Sequence, residues 1–227
     1  MAKKAKKTLP AYLTQIYGWL YQNPKLYNFL DNSFILNILT LGSHNILTEE
    51  LKKEIYPHSH LLQIGVTLGN QIEKTYSALG MLGSYAIIDI IPEQLENCHE
   101  KHLEQQIKFI EGDASKEIKG DGEYDTIICY MLLHELPPYT RAVILNNIIK
   151  RLKLGGKAIF IDYHLPSSYN PLKYFVRAIN RLYQPFAEAL WKNSIKDLTP
   201  NAEKCSWSQQ TYFGGMYQKV VATKNLN

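Results

Sequence analysis

Cysteine is scarce in this chain of 227 residues, which has three, Cys98, Cys129 and Cys205. They lie far apart and form no Cys-x-x-Cys pair, so the pattern argues against a disulfide scaffold and favours a reducing compartment. Long apolar runs are also missing, because no stretch approaches the roughly 20 residues that cross a bilayer. The basic N-terminus lacks the apolar segment of a secretory signal. These absences predict a soluble cytoplasmic protein.

Positive and negative side chains are nearly equal in number outside one short segment. The formal net charge is +4, and much of the excess lies in the tail Lys3-Lys4-Ala5-Lys6-Lys7. The remainder gives no basic footprint, so we expect no nucleic-acid partner. The tail is interpreted as a solvated arm, with attraction to an anionic membrane surface as the alternative. Peripheral membrane association therefore stays open.

Two kinds of apolar pattern divide the chain. Residues 8–57 show helical spacing, which predicts helices after Pro10, from Leu26 to Leu41, and after an N-cap at Thr48. From Leu61 onward, short apolar strands alternate with helices. The predicted strands lie near 61–65, 85–90, 107–110, 125–131 and 157–163, and the predicted helices near 70–80, 92–104 and 138–152.

This alternation predicts an α/β fold, a Rossmann-like doubly wound sheet with an N-terminal helical cap. An apolar helical stripe over 171–190, broken near Pro185, predicts a lid helix. Two strand-like runs, 204–207 and 216–223, flank Phe213-Gly-Gly215. We therefore expect a basic tail and cap over 1–57 and the Rossmann-like domain over 58–227.

The turn after the first strand has the layout of a nucleotide site. The apolar run Leu61–Ile64 meets Gly65 and Gly69, and an acid, Asp89, ends the second strand. Glycines let the backbone approach a ligand, the helix N-terminus offers N–H groups, and the acid accepts from ribose hydroxyls. The usual middle glycine of such a turn is replaced here by Thr67.

Further polar groups follow the later strands, at the edge where an open α/β sheet binds its ligand. After the third predicted strand comes Ile110-Glu-Gly-Asp-Ala114. The segment 124–137 contains the fourth strand and His134-Glu135. The segment 151–164 contains Gly155-Gly156 before the fifth strand and Asp162-Tyr-His164 at its end. Each signal alone is weak, because an acid after a strand is usually a helix cap. Their occurrence in order predicts a site along this edge.

This order resembles the class I S-adenosylmethionine-dependent methyltransferases over residues 60–224. Leu152-Lys-Leu-Gly-Gly-Lys157 is similar to that family's turn into the fifth strand, and Phe213-Gly-Gly to its turn into the closing antiparallel strand. The resemblance implies S-adenosylmethionine as cofactor. It places the methionine part at Gly65, Val66 and Gly69, the ribose at Asp89, the adenine at Ile90, Asp113 and Ala114, and the sulfonium at Tyr130 and Met131. The chain departs from the family pattern at Gln63, where an acid is usual, and at Thr67.

A narrower resemblance is to the rhodoquinone-biosynthesis branch of this superfamily. It rests on Pro10-Ala-Tyr-Leu, Leu132-Leu-His-Glu135, Asp162-Tyr-His-x-Pro166, Pro185-Phe-Ala and Tyr212-Phe-Gly-Gly-Met-Tyr-Gln-Lys-Val-Val221. It implies a hydrophobic quinone substrate, the cofactor as amine donor and a divalent metal such as manganese. Two alternatives remain: an ordinary methyltransferase acting on a small hydrophobic or phenolic substrate, and a cofactor-binding protein without turnover.

Candidate catalytic groups follow the fourth and fifth strands. His134, Tyr163 and His164 are predicted to be catalytic, because an imidazole exchanges protons near neutral pH. The set His134, Glu135, Asp162 and His164 also has the donor atoms of a divalent metal site. The structural alternative is a helix cap at His134, a loop contact at His164 and a structural acid at Asp162. In the cap, Tyr17 and Tyr21 share a helix face and are predicted either to roof the substrate site or to pack the cap on the sheet.

Overall fold

The structure is a computed structural model that describes residues 9–10, 13, 23–118, 123–171, 173–174, 177 and 186–226. Three short helices, α1 (Pro24–Leu30), α2 (Ser33–Leu39) and α3 (Ser43–Lys52), precede the first strand. We call these three helices the cap. The elements that follow are β1 (His60–Ile64), α4 (Gln71–Leu79), β2 (Ser84–Asp89), α5 (Pro92–Lys101), β3 (Ile107–Glu111), β4 (Tyr124–Tyr130), α6 (Pro138–Arg151), β5 (Leu152–Tyr163), α7 (Ala187–Trp191), β6 (Cys205–Tyr212) and β7 (Tyr217–Lys224).

The strands form one sheet in the order β3-β2-β1-β4-β5-β7-β6. Strands β1 to β5 are parallel, whereas β7 pairs antiparallel with both β5 and β6. The chain order reverses next to β1, which lies between β2 and β4. An open α/β sheet binds its ligand at such a reversal, beyond the carboxyl ends of the strands. The predicted doubly wound sheet with a closing antiparallel strand is confirmed.

Side chains of the central strands alternate between two apolar layers. One layer contains Leu62, Ile88, Ile127 and Phe160 and is covered by α6; the other contains Leu61, Ile87, Ile128 and Ile159 and is covered by α3, α4 and α5. Successive residues of a strand point to opposite faces, so a strand buried on both faces must be apolar throughout. This requirement explains the continuous apolar runs of the sequence.

The cap differs from its prediction in two places. The single helix expected from Leu26 to Leu41 is broken, because the Asn32 side chain accepts hydrogen bonds from the N–H groups of Phe34 (3.0 Å) and Ile35 (3.2 Å) and so starts a new helix. Thr48 is not an N-cap either. It lies inside α3, and its hydroxyl donates to the carbonyl of His44 at 2.8 Å.

Some predictions fall wholly or largely on residues that the structure leaves undescribed. The first cap helix, with Tyr17 and Tyr21, lies outside the described residues, as does most of the lid helix predicted over 171–190. The end of that segment forms α7, whose Leu190 packs into the apolar layer under α6. Among the described residues, no helix has the length and apolar character needed to cross a bilayer.

Gly69 fastens the cap to the sheet. Its N–H donates to the carboxylate of Asp31 at 2.8 Å, and its carbonyl accepts from the Lys101 ammonium at 2.6 Å. Lys101 also donates to Asp31 at 2.7 Å, which closes the triangle. A Cβ on Gly69 would come within 2.8 Å of His44 Nε2, so only glycine lets α3 approach this closely.

A second contact between cap and sheet is ionic. The buried Lys219 ammonium of β7 lies 2.9 Å from Glu54 and 3.2 Å from Glu50, and Lys157 of β5 lies 3.2 Å from Glu54. Lysines this far from water are stable only when paired. The contacts at Gly69 and at the two lysines therefore hold the cap over the carboxyl edge of the sheet from two sides.

We predict that Gly69→Ala destabilises the fold more than Gly42→Ala does. Both glycines have φ near +80°, at 80° and 83°, where an L side chain costs about 1–2 kcal/mol. A Cβ on Gly42 meets nothing within 4 Å, whereas one on Gly69 meets His44, which a hydrogen bond to Asn70 holds in place. Urea unfolding measures the free energy of unfolding of the two variants. If both variants lose the same amount, the role given to Gly69 is contradicted.

Candidate functional site

A cavity of about 300 Å³ opens at the carboxyl edge of the sheet, beneath the cap. Eight of the residues predicted to bind the cofactor line it: Gly65, Val66, Asp89, Ile90, Asp113, Ala114, Tyr130 and Met131. The predicted catalytic residues His134 and Tyr163 line it as well. Gly69 is not in the wall, because it is engaged with the cap. The structure thus gathers most of the predicted residues around one space.

The turn between β1 and α4 forms one end of the cavity. Gly65 has φ +86°, and a Cβ there would lie 3.3 Å from the side chain of Leu132. On the neighbouring strand, Met131 follows β4 with a φ of 50°, which is unusual for a residue with a side chain, and its N–H donates to the carbonyl of Ile161 at 2.7 Å. Such backbone strain is concentrated at binding and catalytic sites.

Asp89 is held by the backbone around it. Its Oδ2 accepts from Val66 N–H at 2.7 Å, and its Oδ1 accepts from Ile91 N–H at 2.8 Å. Burial raises the pKa of Asp89 to about 6, although the backbone N–H groups act in the opposite direction. A carboxylate oxygen can accept more than one hydrogen bond, so this side chain has room for hydroxyl donors from a ligand.

Asp113 follows β3 and is fixed on its own turn. Its Oδ1 accepts from the N–H of Ser115 at 2.9 Å and from the Ser115 hydroxyl at 2.6 Å. The neighbouring Gly112 N–H donates to the carbonyl of Asp89 at 2.9 Å, so the ends of β2 and β3 are joined. Asp89 and Asp113 therefore present two carboxylates to the same cavity.

The two departures from the family motif meet in one network of neutral groups. Gln63 is fully buried; its amide donates to the carbonyl of Gly65 and to Gln71, both at 3.0 Å, and its oxygen accepts from the hydroxyl of Tyr85. The Thr67 hydroxyl donates to Gln71 as well. Thr67 thus ties the turn to α4. The sequence showed both substitutions but gave no sign that they are linked.

His134 lines the cavity and forms a buried pair with Asp162, which lies behind the wall. Nδ1 of His134 lies 2.8 Å from Oδ1 of Asp162, and Nε2 lies 3.9 Å from the carboxylate of Glu135. Burial alone would lower the pKa of His134, but the adjacent Asp162 carboxylate outweighs it and raises the pKa. The ring of Tyr163 meets the imidazole edge-on, with 4.6 Å between ring centroids. The imidazole is therefore fixed in orientation.

The four predicted metal ligands do not form a set. Asp162 accepts from Leu133 N–H (2.7 Å), His134 N–H (3.3 Å), Tyr163 N–H (2.7 Å) and the His134 ring, which engages about all four lone-pair positions of a carboxylate. His164 lies outside the cavity wall, with Nδ1 3.0 Å from the carbonyl of Gly215. In the part of the chain that the structure describes, no three His, Cys, Asp or Glu side chains are placed to hold a metal ion.

Sequence reasoning missed several residues that close the cavity. Tyr27, Leu36, Thr40, Ser43, His44 and Leu47 enter the wall from the cap, and Tyr217 enters from β7. Tyr217 packs against Tyr163, with ring centroids 5.4 Å apart. The sequence gave no signal for these residues beyond the apolar spacing of the cap, because their role depends on where the cap sits.

Comparisons with known proteins agree with this geometry. Residues 61–156 match the family described as a methyltransferase domain. The chain is 25% identical over 218 residues to the uncharacterized methyltransferase sll0829 of Synechocystis, covering 91% of this chain and 95% of that protein.

Two solved structures share the fold. An O-methyltransferase family protein from Burkholderia thailandensis aligns with a TM-score of 0.69 at 9% identity, over 94% of this chain and 64% of its own. The N-methyltransferase NodS from Bradyrhizobium japonicum, solved with S-adenosylhomocysteine, aligns with a TM-score of 0.59 at 14% identity, over 95% of this chain and all of its own. Residues 61–156 are therefore similar to a methyltransferase domain. The chain has the class I methyltransferase fold and is an S-adenosylmethionine-dependent transferase.

Proposed function

We propose that this chain transfers a methyl group to a hydroxyl group of a small apolar substrate such as a phenol or a quinol. The observation that carries this proposal is His134, which lines a mainly apolar cavity and is oriented from behind by Asp162. This is the ordinary-methyltransferase alternative of the sequence analysis. It replaces quinone amination as the leading interpretation, because the matched domain is a methyltransferase domain.

The cofactor half of the cavity suits S-adenosylmethionine. In this proposal Asp89 accepts from the ribose hydroxyls, Asp113 accepts from the adenine amino group, and the strained turn at Met131 lies beside the sulfonium. A bound cofactor supplies an electrophilic methyl group. The two carboxylates support this assignment because each is already fixed by backbone or serine donors and needs no rearrangement to accept another.

His134 is the proposed proton acceptor. Its Nδ1 faces Asp162, so Nε2 is the nitrogen available to take a proton from a substrate hydroxyl. A bound S-adenosylmethionine would supply the methyl group, with its sulfonium sulfur as the leaving group, and Nε2 would take the proton that the substrate hydroxyl gives up. Asp162 stabilises the imidazolium that results. Holding the oxygen in line with the methyl group supplies much of the remaining rate enhancement.

Apolar side chains of the cap form the substrate half of the cavity. Leu36 and Leu47 enter it from the cap, and Tyr217 enters it from β7. Such a wall excludes water and suits a flat, apolar ring, with few polar groups to fix its orientation. The substrate class proposed here is therefore the small hydrophobic or phenolic one of the methyltransferase alternative.

Amination of ubiquinone to rhodoquinone is the second candidate. It is supported by the sequence matches at Leu132–Glu135 and Tyr212–Val221 and by the unusual turn at Thr67. A divalent metal such as manganese would polarise the quinone oxygen in that reaction, but Asp162 has no lone pair left for it. The third interpretation, a cofactor-binding protein without turnover, is set aside because the chain is a transferase.

We predict that cofactor affinity depends on pH through Asp89. The ribose hydroxyls require the ionised carboxylate, so a ligand must displace the proton held below the pKa of about 6. Affinity should be constant above neutral pH and should fall by about tenfold per pH unit well below pH 6. Calorimetric titration with S-adenosylhomocysteine measures this dependence.

Two variants test whether the pH dependence of cofactor affinity comes from Asp89. Asp89→Asn should lose roughly tenfold to a hundredfold in affinity and should also lose the acid dependence. The matched control is Asp125→Asn, because Asp125 lies at the amino end of β4, paired with Lys153 and away from the cavity. Unchanged affinity in Asp89→Asn, or an equal loss in the control, would refute the ribose assignment.

We predict that His134→Gln lowers kcat for methyl transfer by about a hundredfold to ten-thousandfold, the usual contribution of a positioned base. Cofactor affinity should change little. In the unchanged enzyme kcat should fall as the pH drops through the pKa of His134, which Asp162 holds above 6.5, and this acid limb should vanish in the variant.

His164→Gln serves as the control for His134→Gln, since His164 contacts the Gly215 carbonyl rather than the cavity. It should retain nearly full activity. If His164→Gln is the inactive variant while His134→Gln turns over normally, the proton acceptor has been assigned to the wrong residue.

A further inference from the structure

Tyr27 of the cap is a buried tyrosine whose hydroxyl has no partner in the part of the chain that the structure describes. The residue is 6% exposed and lines the cavity. Its hydrogen bonds with described residues are made by backbone groups: its N–H donates to the Asn23 carbonyl at 2.9 Å, and its carbonyl accepts from Asp31 N–H at 2.8 Å. A phenylalanine would fill the same space, so packing gives no reason for the hydroxyl. A buried polar group of this kind points to a partner that enters the cavity.

The backbone around Tyr27 is anchored to the turn that forms one end of the cavity. Asp31 follows α1, one helical turn after Tyr27, and accepts from Gly69 N–H at 2.8 Å and from the Lys101 ammonium at 2.7 Å. Gly69 belongs to the turn between β1 and α4, and Lys101 ends α5. These bonds fix the end of α1 on the sheet domain. Tyr27 is therefore held in place before a ligand arrives, which lowers the cost of binding.

The Tyr27 hydroxyl lies at the same end of the cavity as Asp89. Burial raises the pKa of Tyr27, and the neighbouring Asp31, Cys98 and Asp89 raise it further. Such effects act over short distances, because screening weakens them quickly. The phenol therefore stays protonated near neutral pH, and it can donate one hydrogen bond and accept another.

A second buried polar side chain, Gln94, lies in the same wall. It stands on the first turn of α5, five residues after Asp89, is 6% exposed and lines the cavity. Its hydrogen bonds with described residues are also those of its backbone, whose N–H donates to the Ile91 carbonyl at 3.2 Å. Two such side chains beside a carboxylate indicate that a polar part of the ligand binds at this end.

We propose that Tyr27 binds the ribose of S-adenosylmethionine, so that the cap contributes a cofactor contact as well as a wall for the substrate. A ribose hydroxyl can donate to the Asp89 carboxylate and accept from the Tyr27 hydroxyl at the same time. The inference rests on the proposed binding of the ribose by Asp89. It adds a residue from outside the Rossmann-like domain to the cofactor site.

Calorimetric titration of the full chain tests this contact, with S-adenosylhomocysteine and 5′-methylthioadenosine as the probes. Tyr27→Phe keeps the ring and removes the hydroxyl, so affinity for S-adenosylhomocysteine should fall by about threefold to tenfold, the worth of one hydrogen bond. Affinity for 5′-methylthioadenosine, which has the ribose but lacks the amino-acid end, should fall by the same factor. The urea midpoint of the ligand-free variant should not fall, whereas a purely structural hydroxyl would lower it.

Tyr76→Phe is the matched control. The Tyr76 hydroxyl accepts from Gln106 N–H at 3.1 Å, and the residue does not line the cavity, so both affinities should stay unchanged. The proposal is overturned if Tyr27→Phe binds S-adenosylhomocysteine like the unchanged protein or loses no more than the control. It is also overturned if only S-adenosylhomocysteine binds more weakly, because the hydroxyl then contacts the amino-acid end.

Asp89→Asn separates this inference from the ribose assignment on which it rests. If Asp89→Asn binds normally, the ribose assignment fails and the inference fails with it. If Asp89→Asn weakens binding and Tyr27→Phe does not, the inference alone fails. When both weaken binding, the double variant should lose less than the product of the two single losses, because both side chains contact the same sugar. A loss equal to that product would place the Tyr27 hydroxyl on another part of the cofactor and overturn the proposal.

Discussion

The buried carboxylate of Asp162 is the interaction on which the arrangement of the active site depends. It lies at the end of β5 and accepts three backbone N–H groups and the ring N–H of His134. A buried carboxylate is stable only when its lone pairs are occupied, so the turn at 132–135 must fold onto β5. The same hydrogen bonds that satisfy Asp162 therefore direct the imidazole of His134 into the cavity. Asp162 thus stabilises the fold and also orients the proposed proton acceptor.

The cofactor turn shows how two substitutions can preserve one shape. Gln63 stands where the family has an acid, and Thr67 where it has a glycine, yet both side chains engage Gln71 and leave the turn well bonded. Gly69 does not line the cavity and instead contacts the cap, through Asp31 and Lys101. Because the cap also supplies much of the cavity wall, the turn after β1 both shapes one end of the cavity and holds the cap over it.

Local patterns were enough to predict the sheet, because strands buried on both faces must be apolar throughout. They also brought Asp89 and Asp113 to one edge, since parallel strands end together. The sequence placed His134 and Asp162 in one predicted metal site, but it could not show their direct hydrogen bond, because that bond depends on the register of β4 on β5. The metal set was predicted from donor types alone, and donor types do not show that backbone N–H groups already occupy Asp162. The helix break at Asn32 could not be predicted from apolar spacing, because that spacing does not show that the Asn32 side chain caps a new helix.

The isotope content of the product tests methyl transfer most directly. The enzyme is incubated with S-adenosylmethionine that carries a deuterated methyl group and heavy nitrogen at its amino group, together with ubiquinol, ubiquinone or simple phenols. We predict a methyl ether that contains the deuterated methyl group, formed in step with S-adenosylhomocysteine. A product that contains the heavy nitrogen and no deuterium would contradict the proposed reaction and establish amination instead.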